Sequence, residues 1–316
     1  MTTAADSGMT VLNPGMLTLI QDSGRFGHHG IGLSNGGPLD RNAFYWANRL
    51  CQNDLGATAL EISFGGLEME SQISSVFAVT GASMSLTVNG EVKSLWHSHR
   101  VKPGDIIKLG YAKSGCRSYL AIAGGFNIVK SFSSASTVLR EKIGGMAGDK
   151  VQKNDLLPCA NSARETCLSL PENKRPKYRN KVKLRLVLGY QHLSFNDLQL
   201  QRFFNSEFFV SDQSDRMGYR LRGPEVKASV DGMLSEGVCH GAVQIPADGQ
   251  PIVLLNDRQT MGGYPKMGSV ISIDTGKLAQ LLPGGRVSFV PVTMERSHEL
   301  LREEKDRFER LIPVTV

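Results

Sequence analysis

Short runs of β-forming residues recur along both halves of the chain. Val76-Phe77-Ala78-Val79, Met84-Ser85-Leu86-Thr87-Val88 and Ser118-Tyr119-Leu120-Ala121-Ile122 lie in the first half. Lys183-Leu184-Arg185-Leu186-Val187-Leu188, Ile252-Val253-Leu254-Leu255 and Val287-Ser288-Phe289-Val290 lie in the second. Turn-forming residues bound them, including Asn89-Gly90, Pro103-Gly104-Asp105 and Asp248-Gly249. Many short strands and few helices indicate a mostly β protein of barrels or sandwiches. Two helices are predicted. One follows Asp40 as N-cap, with Ala43, Phe44, Ala47, Leu50 and Cys51 on one face. The other is a charged segment from Met294 to Arg310 whose thin stripe of Leu300, Leu301, Phe308 and Leu311 places it on the surface.

Between Ala160 and Lys181 the chain is polar, broken by Pro171 and Pro176, and shows almost no apolar periodicity. This stretch reads as a linker between a domain over residues 1–165 and another over 182–316. Two domains also suit a length of 316 residues. The halves echo one another: Ser23-Gly24-Arg25-Phe26-Gly27 is similar to Ser214-Asp215-Arg216-Met217-Gly218. Val101 to Ile107 is similar to Leu281 to Val287 in the same order, which hints at a tandem duplication.

The net charge of +6 does not point to nucleic acid. Lys174, Arg175, Lys177, Arg179, Lys181, Lys183 and Arg185 fall in one stretch without an acid, and these seven exceed the whole net charge. No nucleic-acid-binding motif accompanies them, so the stretch reads as a solvated connector, with an anionic partner surface second. Five scattered cysteines without a Cys-x-x-Cys pair read as free thiols. His28-His29 and His97-Ser98-His99 lack further ligands at metal-binding spacing, so no metal is expected. No run of about 18 apolar residues suggests a membrane span. Met1 to Met9 has no basic start or apolar run of a signal peptide, and a cytoplasmic location is expected.

Three segments concentrate polar groups beside glycine. The first runs from Thr18 to Gly27 and on through Gly36-Gly37-Pro38-Leu39-Asp40. There Asp22 and Arg25 could meet a ligand, or could tie a loop down, which this segment alone favours. The second, Ser211 to Gly223, spaces Arg216, Arg220 and Arg222 among short polar residues. Arg216 and Arg220 could bind an anion, but arginines spread like this read more readily as a solvated face. The third combines Gln244-Ile245-Pro246 with Asp257-Arg258-Gln259-Thr260-Met261-Gly262-Gly263-Tyr264-Pro265-Lys266. A strand that feeds a glycine turn displays donors well toward an oxyanion, so here a functional role is favoured over a tight hairpin. No Walker, nucleophile-elbow, zinc-protease or dinucleotide motif occurs. Glu61 and Glu68 could form an acid–base pair, but an odd spacing on one strand would face them oppositely.

At these segments the chain resembles the allophanate hydrolase subunit 2 family, which includes 5-oxoprolinase C subunits, KipA-type proteins and the carboxyltransferase half of urea carboxylase. The resemblance rests on Pro14-Gly15, Gln21-Asp22-Ser23-Gly24-Arg25-Phe26-Gly27, Gly37 to Asp40, Ala47-Asn48-Arg49-Leu50, and Leu60-Glu61 with Gly65-Gly66. In the second half it rests on Ser214 to Gly218, Ser235-Glu236-Gly237, Gln244-Ile245-Pro246, Asp257 to Thr260 and Gly262 to Lys266, and it spans residues 11–292. Met261, where a threonine is usual, departs from the pattern.

The resemblance implies two cyclophilin-like β-barrel domains in tandem. It implies an ATP-dependent 5-oxoprolinase component that works with A and B subunits, the latter KipI-like, to convert 5-oxo-L-proline to L-glutamate. ATP would enter as Mg-bound substrate, with no tightly held cofactor, no nucleic acid and no membrane. Phosphorylation of the lactam oxygen would precede attack by water. Projected onto this chain, the catalytic donors would be Lys266, Arg258 and Arg25. Substrate or nucleotide contacts would come from Gln21, Asp22, Asp40, Asn48, Glu61, Arg216, Gln244, Asp257, Gln259, Thr260, Gly262, Gly263 and Tyr264. Two alternatives are a carboxyltransferase component acting on urea or a related amide with separate biotin proteins, and a KipA-like regulator that antagonises a kinase inhibitor.

Overall fold

The computed structural model describes residues 7–230 and 233–316. The leader-free reading of Met1 to Met9 rests mostly on residues 1–6, outside those described. The fold is mostly β, with four α-helices among the described residues: α1 (Arg41–Leu50), α2 (Asp197–Asn205), α3 (Ser272–Ala279) and α4 (Met294–Arg310). None is long and apolar enough to cross a membrane. The chain forms two compact units. The first comprises the residues up to Phe26, Gly36–Tyr178 and Ile312–Val316; the second comprises Gly27–Asn35 and Arg179–Leu311.

The first unit holds two sheets. Six strands run in the order Leu156–Pro158, Gly8–Pro14, Leu67–Ser71, Ile106–Leu109, Leu86–Val88 and Glu91–Lys93. Strict alternation along Leu67–Ser71 buries Leu67 and Met69 and turns Glu68 and Glu70 outward. Asn89 and Gly90, at φ 52° and 82°, close the hairpin before Glu91, as a two-residue turn with two left-handed positions requires. The seven-stranded sheet runs Leu17–Gln21, Ala59–Ser63, Ser114–Ile122, Ser75–Ser83, His97–Val101, Leu168–Ser169 and Val314–Thr315. Its central pair, Ser114–Ile122 and Ser75–Ser83, is buried almost throughout and packs against α1. As predicted, α1 begins at Asp40, whose carboxylate accepts from the Ala43 N–H at 3.1 Å.

The polar stretch 160–181 needs amending as a free connector. Leu168–Ser169 pairs with both His97 and Val314–Thr315, and Leu170 is fully buried. Arg164 donates to the Cys51 carbonyl and to Asn53 Oδ1. Composition marks this stretch as irregular, but its backbone groups find partners all the same.

The second unit is a closed seven-stranded barrel in the order Lys181–Leu188, Lys266–Val270, Ala242–Gln244, Ile252–Leu254, Gly218–Arg222, Phe208–Val210 and Arg286–Pro291. Parallel pairing of Lys181–Leu188 with Arg286–Pro291 closes it, so neither strand is left as an open edge. Phe203 of α2 stacks on Phe289 at 4.5 Å and meets Phe208 at 5.8 Å, plugging one region of the interior. As its thin stripe predicts, α4 is largely exposed, with Ser297 its only buried residue.

On α3, Asp274 is fully buried and accepts from Arg185 Nε and Nη2, both at 2.7 Å, and from the Arg185 backbone N–H. Burial alone would raise its pKa, but the hydrogen bonds from Arg185 and Lys277 outweigh that and hold it below the ordinary 3.8. A depressed carboxylate contributes stability above its unfolded pKa and loses it as pH falls through the folded value. Asp274→Asn is therefore expected to destabilise the protein by about 3 kcal/mol in urea unfolding at pH 7. The gap to wild type should narrow below about pH 4, and a constant gap down to about pH 2 would refute the assignment.

Candidate functional site

In the first unit the sequence-selected residues are tightly engaged with one another and with main chain. Gln21 ends the strand Leu17–Gln21; its Nε2 donates to the Thr137 carbonyl at 3.0 Å and its Oε1 accepts from Gly37 N–H at 2.9 Å. Asp22 accepts from the hydroxyls of Ser134 (2.6 Å) and Ser136 (2.7 Å) and from the N–H groups of Ala135 (2.7 Å) and Gly24 (2.9 Å). Burial pushes its pKa up, yet these four donors bring it below the usual carboxylate value. Arg25, fully buried, donates to the carbonyls of Ser131, Ser134 and Ser136. Gln21, Asp22 and Arg25 thus clamp one loop, 131–137, the loop-tying role that their segment favoured on its own.

Glu61 and Asp40 share Tyr119. The Tyr119 hydroxyl donates to Glu61 Oε2 at 2.7 Å and accepts the Asp40 N–H at 2.8 Å, and Tyr178 donates to Asp40 Oδ2 at 2.9 Å. Burial, then the nearby Glu61 and Asp40 charges, push the Tyr119 phenol well above its ordinary value. Glu68 sits on another sheet, ion-paired with Lys108 at the surface, so it forms no acid–base pair with Glu61. Asn48 binds the carbonyls of Leu55 and Ala57, pinning the chain that leaves α1. A surface cavity of about 680 Å³ lies elsewhere in this unit, among Ile128, Met146, Asp149 and Lys150, and none of the selected residues lines it.

In the second unit two arginines are also engaged. Arg216 grips Asp257 through Nε–Oδ2 (2.8 Å) and Nη2–Oδ1 (2.9 Å), a buried two-point pair. Arg258 donates to the carbonyls of Val238 (3.1 Å) and Leu255 (3.3 Å), while burial lowers its pKa. Ser34, in the segment Gly27–Asn35, donates its hydroxyl to the Arg258 carbonyl at 2.8 Å.

Lys266 is placed differently. It opens the strand Lys266–Val270, whose neighbour in register is Gln244. Its N–H donates to Gln191 Oε1 at 2.8 Å, and its ammonium meets the Glu236 carboxylate and lies 6.0 Å from the centre of the Tyr190 ring. Tyr190 Oη and Gln191 Nε2 donate to the same carboxylate. The Lys266 hydrogen bond first, then that of Tyr190, hold Glu236 below the usual glutamate value.

Close by, Gln244 is 2% exposed and its side-chain Nε2 has no hydrogen-bond partner among the described residues. Gly262 lies against it: a Cβ at that position would fall 2.6 Å from Gln244 Nε2 and 3.3 Å from Gln259 Nε2. Thr260 and Gly263 hold the turn through main chain, Thr260 O accepting from Val238 N and Gly263 O from Met233 N, both at 3.0 Å. Tyr264 is exposed. The structure thus gathers Lys266, Gln244, Gln259 and Gly262 and leaves Arg216, Asp257 and Arg258 as braces. Sequence reasoning missed Tyr190 and Gln191 as site residues, and it gave Glu236 of Ser235-Glu236-Gly237 no chemical role. A polar pair directly after the strand Lys181–Leu188 was the available signal. Among the described residues no group of three metal-ligating side chains converges, and all five cysteines are unpaired.

Likeness to known proteins defines the class of this chain. The chain belongs to the carboxyltransferase domain family, subdomains A and B, whose pattern matches residues 31–291. It is 36% identical to the 5-oxoprolinase C subunit of Escherichia coli, over 96% of this chain and 97% of that protein. It is 34% identical to the 5-oxoprolinase C subunit of Haemophilus influenzae, over 93% and 95%. The urea amidolyase of Saccharomyces cerevisiae is 30% identical over 93% of this chain, which spans 17% of that protein. The crystal structure of the K. lactis urea amidolyase superposes with a TM-score of 0.89 at 27% identity, over 97% of this chain and 20% of that one.

The four donors to Asp22 give a separate check on the clamp in the first unit. Asp22→Asn keeps the shape but removes the charge and two acceptor sites, and is expected to cost about 2–3 kcal/mol. Chemical denaturation followed by tryptophan fluorescence would measure it, Trp46 and Trp96 both being buried in this unit. A change under about 0.5 kcal/mol would mean that the clamp carries no stability.

Proposed function

We propose that this chain is a component of an ATP-dependent 5-oxoprolinase that, with companion A and B subunits, converts 5-oxo-L-proline to L-glutamate. The observation that carries the proposal is the end-to-end likeness to proteins named as C subunits of 5-oxoprolinase, together with a cation held beside two amides in the barrel. The urea amidolyases, by contrast, resemble this chain over only a fraction of their own length.

Within the proposal Lys266 is the residue that meets the substrate's negative charge. The other projected catalytic cations, Arg25 and Arg258, are buried and donate to main-chain carbonyls. Arg216 is matched by Asp257. These commitments do not fit a triphosphate, which calls for several cations or a run of N–H groups around its oxygens. ATP is therefore assigned to the companion subunits, and this chain to recognition of the amide. A carboxyltransferase role toward an amide is the second reading, favoured by the family match and the fold likeness to urea amidolyase.

Mixing the chain with its companions and measuring ATP-dependent release of glutamate from 5-oxoproline tests the proposal. Turnover should require all the subunits; carboxylation of urea in the presence of biotin proteins, without glutamate release, would select the second reading. In the active mixture Lys266→Ala should lower kcat/KM about 10²–10³-fold, and Lys266→Arg should restore only part, since a planar fork does not replace a compact ammonium. Stability should change by under about 1 kcal/mol, because Glu236 is partly exposed. Wild-type kcat/KM in the alanine variant would remove Lys266 from the site.

A further inference from the structure

We propose that Lys266, Tyr190 and Gln191 form a carboxylate-binding subsite that Glu236 fills in the ligand-free chain, and that a small ligand bearing both a carboxylate and an amide carbonyl displaces it. Three donors of different kinds converge on the one Glu236 carboxylate. Lys266 Nζ and Gln191 Nε2 reach Oε1, and Tyr190 Oη reaches Oε2. Two of the three donors are anchored better than their acceptor, while Tyr190 is exposed. Gln191 is 4% exposed, and its Oε1 is fixed by the Lys266 N–H at the start of a barrel strand. The Lys266 side chain is 13% exposed, whereas that of Glu236 is 34% exposed. Glu236 sits on a strand of two residues, Glu236–Gly237, which among the described residues pairs with Met261–Gly262 alone. Two anchored donors, joined by the exposed Tyr190, thus face a carboxylate carried on a two-residue strand of that two-stranded ribbon.

The same ribbon covers Gln244. Its amide nitrogen is buried, has no acceptor among the described residues, and lies against Gly262, the ribbon residue paired with Glu236. A buried N–H without an acceptor is unfavourable and uncommon in native proteins. Gln244 and Lys266 are neighbours in register. Lifting the ribbon would therefore release the ammonium-centred subsite and present the Gln244 amide beside it. A ligand with a carboxylate for the first and a carbonyl oxygen for the second satisfies both. Resting on the oxoprolinase reading, the ligand is 5-oxoproline, with its carboxylate in the place of Glu236 and its lactam oxygen on Gln244. Urea has the carbonyl but no carboxylate, so the subsite also separates the two substrate types.

Calorimetric titration of the full chain with 5-oxo-L-proline, and with 2-pyrrolidinone, the same ring without the carboxylate, tests this. Glu236→Gln removes the internal competitor and is expected to tighten 5-oxoproline about tenfold while leaving 2-pyrrolidinone unchanged. Gln191→Met should weaken 5-oxoproline alone, and Gln244→Met should weaken both ligands about tenfold. Gln244→Met should also melt about 2–4 °C higher, because an unpaired buried donor is removed. Unchanged or weaker 5-oxoproline binding by Glu236→Gln, equal shifts for the two ligands, or no binding of 5-oxoproline to the wild-type chain overturns the proposal. Should Glu236→Gln not fold, the Gln191→Met contrast between the two ligands decides. Selective carboxylate binding without glutamate release by the full complex would leave the subsite standing and remove the oxoprolinase reading. Glutamate release with a KM for 5-oxoproline indifferent to Gln191→Met would do the reverse.

Discussion

Closure of the second-unit barrel by the parallel pairing of Lys181–Leu188 with Arg286–Pro291 fixes everything that follows in that unit. Because Lys181–Leu188 is held on its other side by Lys266–Val270, the point where it leaves the barrel is set against the start of that strand. Gly189 follows at once, its N–H bonded to the Met267 carbonyl, and Tyr190 and Gln191 come next. That is how an amide and a phenol reach an ammonium 75 residues further along the chain. A flat sheet with two open edges would leave this exit unconstrained and would invite pairing with other chains. Closure therefore supplies both protection of the edges and the geometry of the donors.

Charge in this protein is used in two distinct ways. Asp22, Asp257, Asp274, Arg25 and Arg216 are buried and each makes two or more hydrogen bonds, so their energy is committed to holding loops and strands. Breaking one of these leaves an unpaired charge in a poor solvent, which is why they brace the fold. The Lys266–Glu236 pair differs because one member is partly exposed and rides on a two-residue strand. Such a pair contributes little stability and can exchange partners at modest cost. Beside it the buried amide nitrogen of Gln244 has no acceptor among the described residues, and in the proposed subsite a ligand carbonyl supplies one.

Local features were legible in the sequence because local chemistry decides them. Asp40 could be read as the cap of α1, and the charged period of Met294 to Arg310 as a surface helix, since both depend on neighbours within a few residues. Asn89-Gly90 named its own turn. What stayed hidden depends on distant partners. Gly27–Asn35 belongs with the second unit and Ile312–Val316 with the first, although nothing in either composition says so. Arg25 looked able to bind an anion until its acceptors proved to be carbonyls more than a hundred residues away. Lys266 and Gln244 were singled out by the density of polar groups around a glycine turn. Glu236, 30 residues from Lys266, could not be assigned to it by any spacing rule.

In the proposed subsite the donors around Lys266 hold a ligand carboxylate that Glu236 imitates. A crystal structure of the chain soaked with 5-oxo-L-proline addresses it most directly. The ligand carboxylate is expected on Lys266 Nζ, Tyr190 Oη and Gln191 Nε2, its lactam oxygen on Gln244 Nε2, and Glu236 turned away with its ribbon displaced. Ligand bound elsewhere, with the Glu236 carboxylate still on Lys266 and the Gln244 amide still unpaired, would contradict it.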